Sequence, residues 1–169
     1  MILTRDRILA EIAAGKVVID PYEETAVGPA SIDLHLGEEV RVLDTTGGPV
    51  PIRDDTDYRD GSHTARLDTP YALAPGETVL GITRERIKLA PDICGWLEGR
   101  SRFARLGLAI HVTAGFINPG VDNRQVLEIS NLSGRVLELY VGTRICQIIL
   151  QRTDGAAVYR GRFATQNKP

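Results

Sequence analysis

Short apolar runs, none longer than a strand, dominate this chain and restrict what it can fold into. Nine of them follow one another: "KVVI", "SIDLHL", "EEVRVL", "ETVLGIT", "GWLEG", "LAIHVTA", "QVLEIS", "RVLELYV" and "RICQIIL". Most are β-branched or alternate apolar with polar, the two-residue period of a strand with one face in a core. Turn signals separate them, as in "DTTGGP", "APGE", "NPGVDN", "NLSG" and "YVGT". One helical pattern occurs, over residues 4–14. Thr4 is placed to cap it, Ile8, Leu9 and Ile12 share a face, and Gly15 can end it. No second long helical pattern is available to cross between parallel strands. The expected fold is therefore mainly β, a closed barrel or sandwich of antiparallel strands with a short N-terminal helix, in a single domain over 1–169. Residues 44–69 are polar and read as a long surface loop. The tail from about residue 155, "YRGRFATQ" included, is too polar and glycine-bearing for core and is expected to be mobile.

Charge narrows the function. Twenty basic and 22 acidic residues leave a net charge of −2, so nothing overall drives binding to a nucleic acid backbone. Any anion site must be local. The candidate is "GRSRFARLGLAIHVTAGF", residues 99–116, with Arg100, Arg102 and Arg105 inside six positions and no carboxylate before Asp122. Two readings stand: an exposed basic turn, or a set of forked donors for phosphate oxygens. Cys94 and Cys146 lie 52 residues apart in apolar sequence. That is no zinc spacing, and buried free thiols in a reducing cytoplasm are expected. No stretch has the length of a signal peptide or a membrane span, and the chain is expected to be cytoplasmic.

Reaction classes separate on the histidines and acids. None of His35, His63 and His111 is followed two positions later by Glu, and no P-C-x-x-C occurs, so the zinc set of nucleobase deaminases is missing. Neither a G-x-S-x-G nor a phosphate-binding glycine motif is present. Two acids are set in apolar strands, Asp33 in "SIDLHLG" and Glu128 in "QVLEIS". Asp33 reads as a structural acid bonding loop amides. Glu128 shares a strand face with Val126, opposite Leu127 and Ile129. It is either a solvated strand glutamate or a carboxylate in a partly dry pocket, where desolvation would raise its pKa and suit it to proton transfer.

In order along the chain, "PASIDLHLG", "GWLEGRSRFARLGL", "HVTAGFINPG", "QVLEISN" and "RICQIIL" resemble the motifs of the dCTP deaminases, within the trimeric dUTPase-like superfamily. The resemblance runs from "ILTRDRILAEIAAGKVVIDP" to "YRGRFATQ". It implies a distorted antiparallel β-barrel, a homotrimer with sites between subunits, and hydrolysis of the 4-amino group of dCTP to give dUTP and ammonia. No zinc is implied at the base; Mg²⁺ accompanies the triphosphate. Neither nucleic acid nor membrane is implied as a partner. Glu128 matches the general base, while Ser101 and Arg105 match the groups that hold its water. Arg100 and Ser101 match phosphate contacts, with Arg102 as an additional candidate. Val126, Leu127 and the backbone of a 112–116 strand, Ala114, Gly115 and Phe116 among it, match the surface that reads the pyrimidine. Gln147, Tyr159, Arg162 and Gln166 match residues that close over the triphosphate. Gly115-Phe116 and Gln147 resemble the bifunctional branch, which goes on to dUMP and pyrophosphate. Asn118 stands where an aspartate is usual and points back to dUTP. A nucleotide-binding trimer without catalysis is a third possibility, opposed by retention of Ser101, Arg105 and Glu128.

Overall fold

The structure, a computed structural model, describes residues 1–169. A helix, α1 (Arg5–Ala13), precedes strand β1 (Val17–Asp20). Then follow β2 (Ile32–Leu43), β3 (Ser62–Arg66), β4 (Tyr71–Leu73), β5 (Thr78–Leu89) and β6 (Ile93–Gly99). A four-residue helix, α2 (Ser101–Ala104), leads into β7 (Leu108–Ile110), β8 (Phe116–Ile117), β9 (Asp122–Asn131), β10 (Leu137–Leu139) and β11 (Arg144–Arg152). The main sheet has nine strands. Seven run in the order β7-β9-β5-β2-β11-β6-β8, with β1 added on β5 and β3 on β2, while β10 and β4 pair apart. Every pairing is antiparallel, and the sheet curls into a distorted half-barrel, as the run-and-turn pattern requires. No helix is long and apolar enough to cross a membrane.

Alternation builds the core. Along β9 buried and half-buried residues alternate without a break, with Leu127 and Ile129 fully enclosed. Facing strands contribute Leu34, Leu36, Val79, Ile87, Ile148 and Leu150. Burying side chains of this size is worth about 1.5–3 kcal/mol each. Cys94 and Cys146 are free and buried, as expected, and burial pushes both thiols up. The register of β5 against β9 shifts between Ile82 and Arg86. At that bulge the Thr83 hydroxyl accepts the Gln125 N–H at 3.0 Å, standing in for the lost ladder partner. The buried Glu85 sits just beyond, accepting the His35 main-chain N–H at 2.9 Å and lying 2.6 Å from His35 Nδ1. Arg84 approaches the same carboxylate at 3.1 Å, so this acid in the core is fully partnered.

Three sequence expectations are corrected. Thr4 does not cap α1 by its side chain. Its hydroxyl donates to Asp6, while Gly15, at φ +67°, ends the helix as expected. The polar stretch 44–69 is not all loop. It holds a 3-10 turn at Tyr58–Gly61, and β3 pairs with the outer half of β2 through backbone bonds that need no apolar side chains. Third, "LAIHVTA" is not one strand. β7 stops at Ile110 because His111 takes φ +50°, and residues 112–115 form an exposed or half-exposed connection before β8. A left-handed φ at a residue with a Cβ is uncommon and breaks strand geometry.

The turn from α2 to β7 rests on Gly107. Its φ is +88°, and a Cβ there would meet the Ser133 backbone nitrogen at 2.9 Å and Cβ at 2.7 Å. Gly107→Ala is expected to destabilise the protein by about 1–3 kcal/mol, through positive φ and the clash together. Urea denaturation checks this. A midpoint equal to that of the wild type would show that the turn does not need the glycine.

Candidate active site

Glu128 reaches its position because β9 carries it outward between two anchored neighbours. Leu127 and Ile129 are locked in the core, so the Glu128 side chain projects to the other face, 34% exposed. It borders a cleft of about 360 Å³. Of the residues expected in the site, Ala114, Phe116, Asn118, Val126, Tyr159 and Gln166 line this same cleft. Phe116 is set at its rim by an edge-on contact with Trp96, ring centres 5.5 Å apart.

His111 governs the carboxylate. Its ring is buried, with Nδ1 2.7 Å from Glu128 Oε2. The approach is off the line of a hydrogen bond, so Nδ1 lies against the carboxylate without an aligned partner. The His111 main-chain N–H also donates to the Glu128 carbonyl at 2.8 Å, and Thr113 donates to Oε2 at 3.4 Å. Burial pushes the Glu128 carboxyl up; the His111 contact and the Thr113 bond outweigh it and hold the carboxyl below its usual value of 4.5. The raised pKa expected from desolvation alone is thereby corrected. The sequence motif "HVTA" contains both partners, but alternation says nothing of a histidine that turns back on the neighbouring strand.

The arginine segment lies elsewhere. Ser101, Gly115 and Gln147 line a second cleft, of about 670 Å³, which shares His111 with the first. Arg100 is half-buried and paired with Asp33 at 3.2 Å, while also donating to the Arg144 carbonyl. Asp33 is thus an ion-pair partner of Arg100, not a bonder of loop amides. Gln147 is held by Ser31 at 2.7 Å and donates to the Gly99 carbonyl at 3.3 Å. Arg102 and Arg105 stand exposed on and just after α2, bordering neither cleft. Leu127 is corrected: its side chain is core, so only its backbone faces the site side of β9.

The tail follows a defined path over the first cleft. The Tyr159 N–H donates to the Pro119 carbonyl at 3.0 Å, and Asn123 Nδ2 donates to the Phe163 carbonyl at 2.7 Å. Gln166 and Arg124 exchange bonds of 3.0 and 3.2 Å. Asn123, Gln125, Tyr58 and Phe163 join the cleft lining; no sequence motif pointed to Tyr58 or Gln125. Arg162 lies outside it, 2.9 Å from Asp57.

The contact between His111 and Glu128 sets a pH dependence. A carboxyl depressed on folding contributes stability that is whole above its unfolded value, near 4.5, and lost as pH falls through the lower folded value. In His111→Asn that depression is expected to shrink, so the Glu128 titration, followed by carboxyl ¹³C NMR, moves up in pH. A midpoint that stays in place would show that His111 does not hold the charge.

Comparison with known proteins follows the same lines. The dCTP deaminase-like family profile matches residues 2–153. The chain is 38% identical to the "dCTP deaminase, dUMP-forming" of Parafrankia sp. (strain EAN1pec), over 100% of this chain and 88% of that one. It is 40% identical to the protein of the same name from Streptomyces avermitilis, over 100% and 93%. Among solved structures, the 2′-deoxycytidine 5′-triphosphate deaminase of Agrobacterium tumefaciens shares the fold, with a TM-score of 0.72 at 24% identity. That alignment covers 90% of this chain and 48% of that longer one. A mutant dUTPase of phage phi11 of S. aureus has a TM-score of 0.51 at 14% identity, over 86% and 96%. From its motifs, its sheet and these likenesses, the chain belongs to the dCTP deaminase-like family of enzymes.

Proposed function

We propose that the protein hydrolyses dCTP to ammonia, dUMP and pyrophosphate. The observation that carries the reading is Glu128, a partly buried carboxylate held by His111 and Thr113 over a cleft that also holds Val126, Phe116 and Asn118. The carboxyl is depressed, so it is ionised at neutral pH, the state a general base needs. It takes a proton from water and passes it to N3 of the cytosine. The resulting hydroxide bonds to C4, the 4-amino group takes the remaining proton, and the C4–N bond breaks to release ammonia and leave the C4 carbonyl. A base with a low pKa is weak in open water; the tail lying over the cleft limits water there and raises its strength.

The product follows from two further considerations. Asn118 alone favours release of dUTP, since an amide is no base. The relatives are named for forming dUMP, and an amide still orients a water by accepting and donating hydrogen bonds. With Phe116 beside it in the cleft, Asn118 is assigned to the water that attacks the α-phosphorus, from which pyrophosphate departs. Mg²⁺ is assigned to the triphosphate. The residues lining the cleft supply one carboxylate, Glu128, so most oxygen ligands of such an ion would come from phosphate and water. When bound, the ion neutralises phosphate charge.

The separation of Ser101 and Arg105 from the Glu128 cleft supports a site completed by a second copy of the chain. We assign the protein to a homotrimer in the cytoplasm, with Ser101, Arg100 and Arg105 supplied across the interface. Light scattering is expected to give three times 18.5 kDa. A fully active monomer would refute the shared site.

Glu128→Gln is expected to lower deamination by about 10²–10⁴-fold with the fold intact. Turnover within tenfold of wild type would remove Glu128 from the base role. In the wild type, chromatography of products from dCTP and Mg²⁺ is expected to show dUMP and pyrophosphate without free dUTP. Accumulating dUTP would restrict the activity to deamination and return Asn118 to the role of an obstacle.

A further inference from the structure

The stretch 44–61, read from sequence as surface loop, bends back to the Glu128 cleft. Tyr58 lines that cleft beside Phe163 and Tyr159 of the tail. Its ring lies under two guanidinium groups, Arg59 of the same turn at 6.0 Å and Arg41 at 5.7 Å, and the latter, on β2, ties the 3-10 turn to that strand. Directly before it, Asp57 caps the turn by accepting the Arg59 N–H at 3.1 Å. The Arg59 side chain binds the same carboxylate through Nε, at 2.9 and 3.1 Å, and through its terminal nitrogen. Arg59 holds the Asp57 carboxyl well below the usual carboxylate range, so it is charged at any working pH. The carboxylate is thereby fixed in place, with 21% of its side chain exposed, and onto it comes one nitrogen of Arg162 at 2.9 Å.

We propose that Asp57 is a positioning residue for the nucleotide site: anchored by Arg59, it holds the tail arginine Arg162 beside the cleft with the rest of its guanidinium free for phosphate. The proposal rests on the nucleotide reading above. Arg162 has five N–H donors, and the Asp57 contact uses one nitrogen of the fork. Arg162 also leans on the Phe163 ring at 5.8 Å, and the Phe163 carbonyl is pinned by Asn123 on β9. The tail is thus fastened from two sides of the cleft, by β9 and by the 44–61 loop. A long, exposed arginine left unpaired would have to be ordered on each binding event, and holding it beforehand removes part of that entropic cost.

Three measurements test this. In nucleotide-free protein, Asp57→Asn is expected to speed amide hydrogen exchange across residues 158–166 about threefold or more, and Arg162→Gln to do the same. For dCTP, Asp57→Asn is expected to raise KM about three- to tenfold with kcat within about twofold, and Asp57→Glu to recover most of the loss. The double variant is expected to be no worse than Arg162→Gln alone, since both changes remove one contact. Unchanged exchange, an unchanged KM in Asp57→Asn, or losses that add in the double variant would overturn the assignment. The exchange arm uses no nucleotide. Wild type that leaves dCTP untouched would therefore refute the substrate reading, while exchange still decides whether Asp57 holds the tail.

Discussion

The two-residue period of β9 is the constraint on which both the barrel and the site depend. Leu127 and Ile129 are fully buried, and between them Glu128 has no direction left but outward. A slip of one residue against β5 would drive Glu128 into an apolar interior and expose both neighbours. That exchanges several kcal/mol of apolar burial for an unpaired buried carboxylate. The register is therefore strongly specified, and the position of the carboxylate is specified with it. Stability and site geometry are here one and the same arrangement.

Around that strand, irregular backbone does what regular strands cannot. His111 leaves β7 with a positive φ, and the chain comes back over Glu128 with a buried imidazole and the Thr113 hydroxyl. The bulge in β5 lets Thr83 take the Gln125 N–H and carries Glu85 into its partnership with His35. At the bulge the Gln125 N–H that would go unpaired is taken by Thr83, and at the His111 turn the main-chain N–H stays on the Glu128 carbonyl. The cleft is walled where these interruptions cluster.

Charge in the site is distributed between elements far apart in sequence. Arg100, just past the end of β6, meets Asp33 of β2 across the intervening β11, Glu128 meets His111, and Arg162 meets Asp57. Free of such a partner are Arg102 and Arg105, exposed beside α2. An exposed pair of guanidinium groups beside a strand-end glycine turn suits a surface offered to another subunit better than a pocket within one chain. In the proposed trimer, this is the surface that would carry Ser101 toward Glu128 of another copy.

The sequence by itself determined the mainly antiparallel β architecture, the single N-terminal helix, the outward face of Glu128 and the burial of both cysteines. These follow from local periods and turn chemistry, which any nine such runs express wherever they occur. It also carried the family, through motifs in fixed order. Tertiary structure alone decided which partners meet. The sign of the Glu128 pKa shift turned on His111, 17 positions away in the chain and 2.7 Å away in space. β3 formed from a polar stretch because an edge needs only backbone partners. Asp57 and Arg162, separated by 105 positions, met because the loop and the tail cross the same cleft. Such contacts depend on how far the sheet curls and where the chain reverses. Those are properties of the assembled core, and no local stretch of residues encodes them.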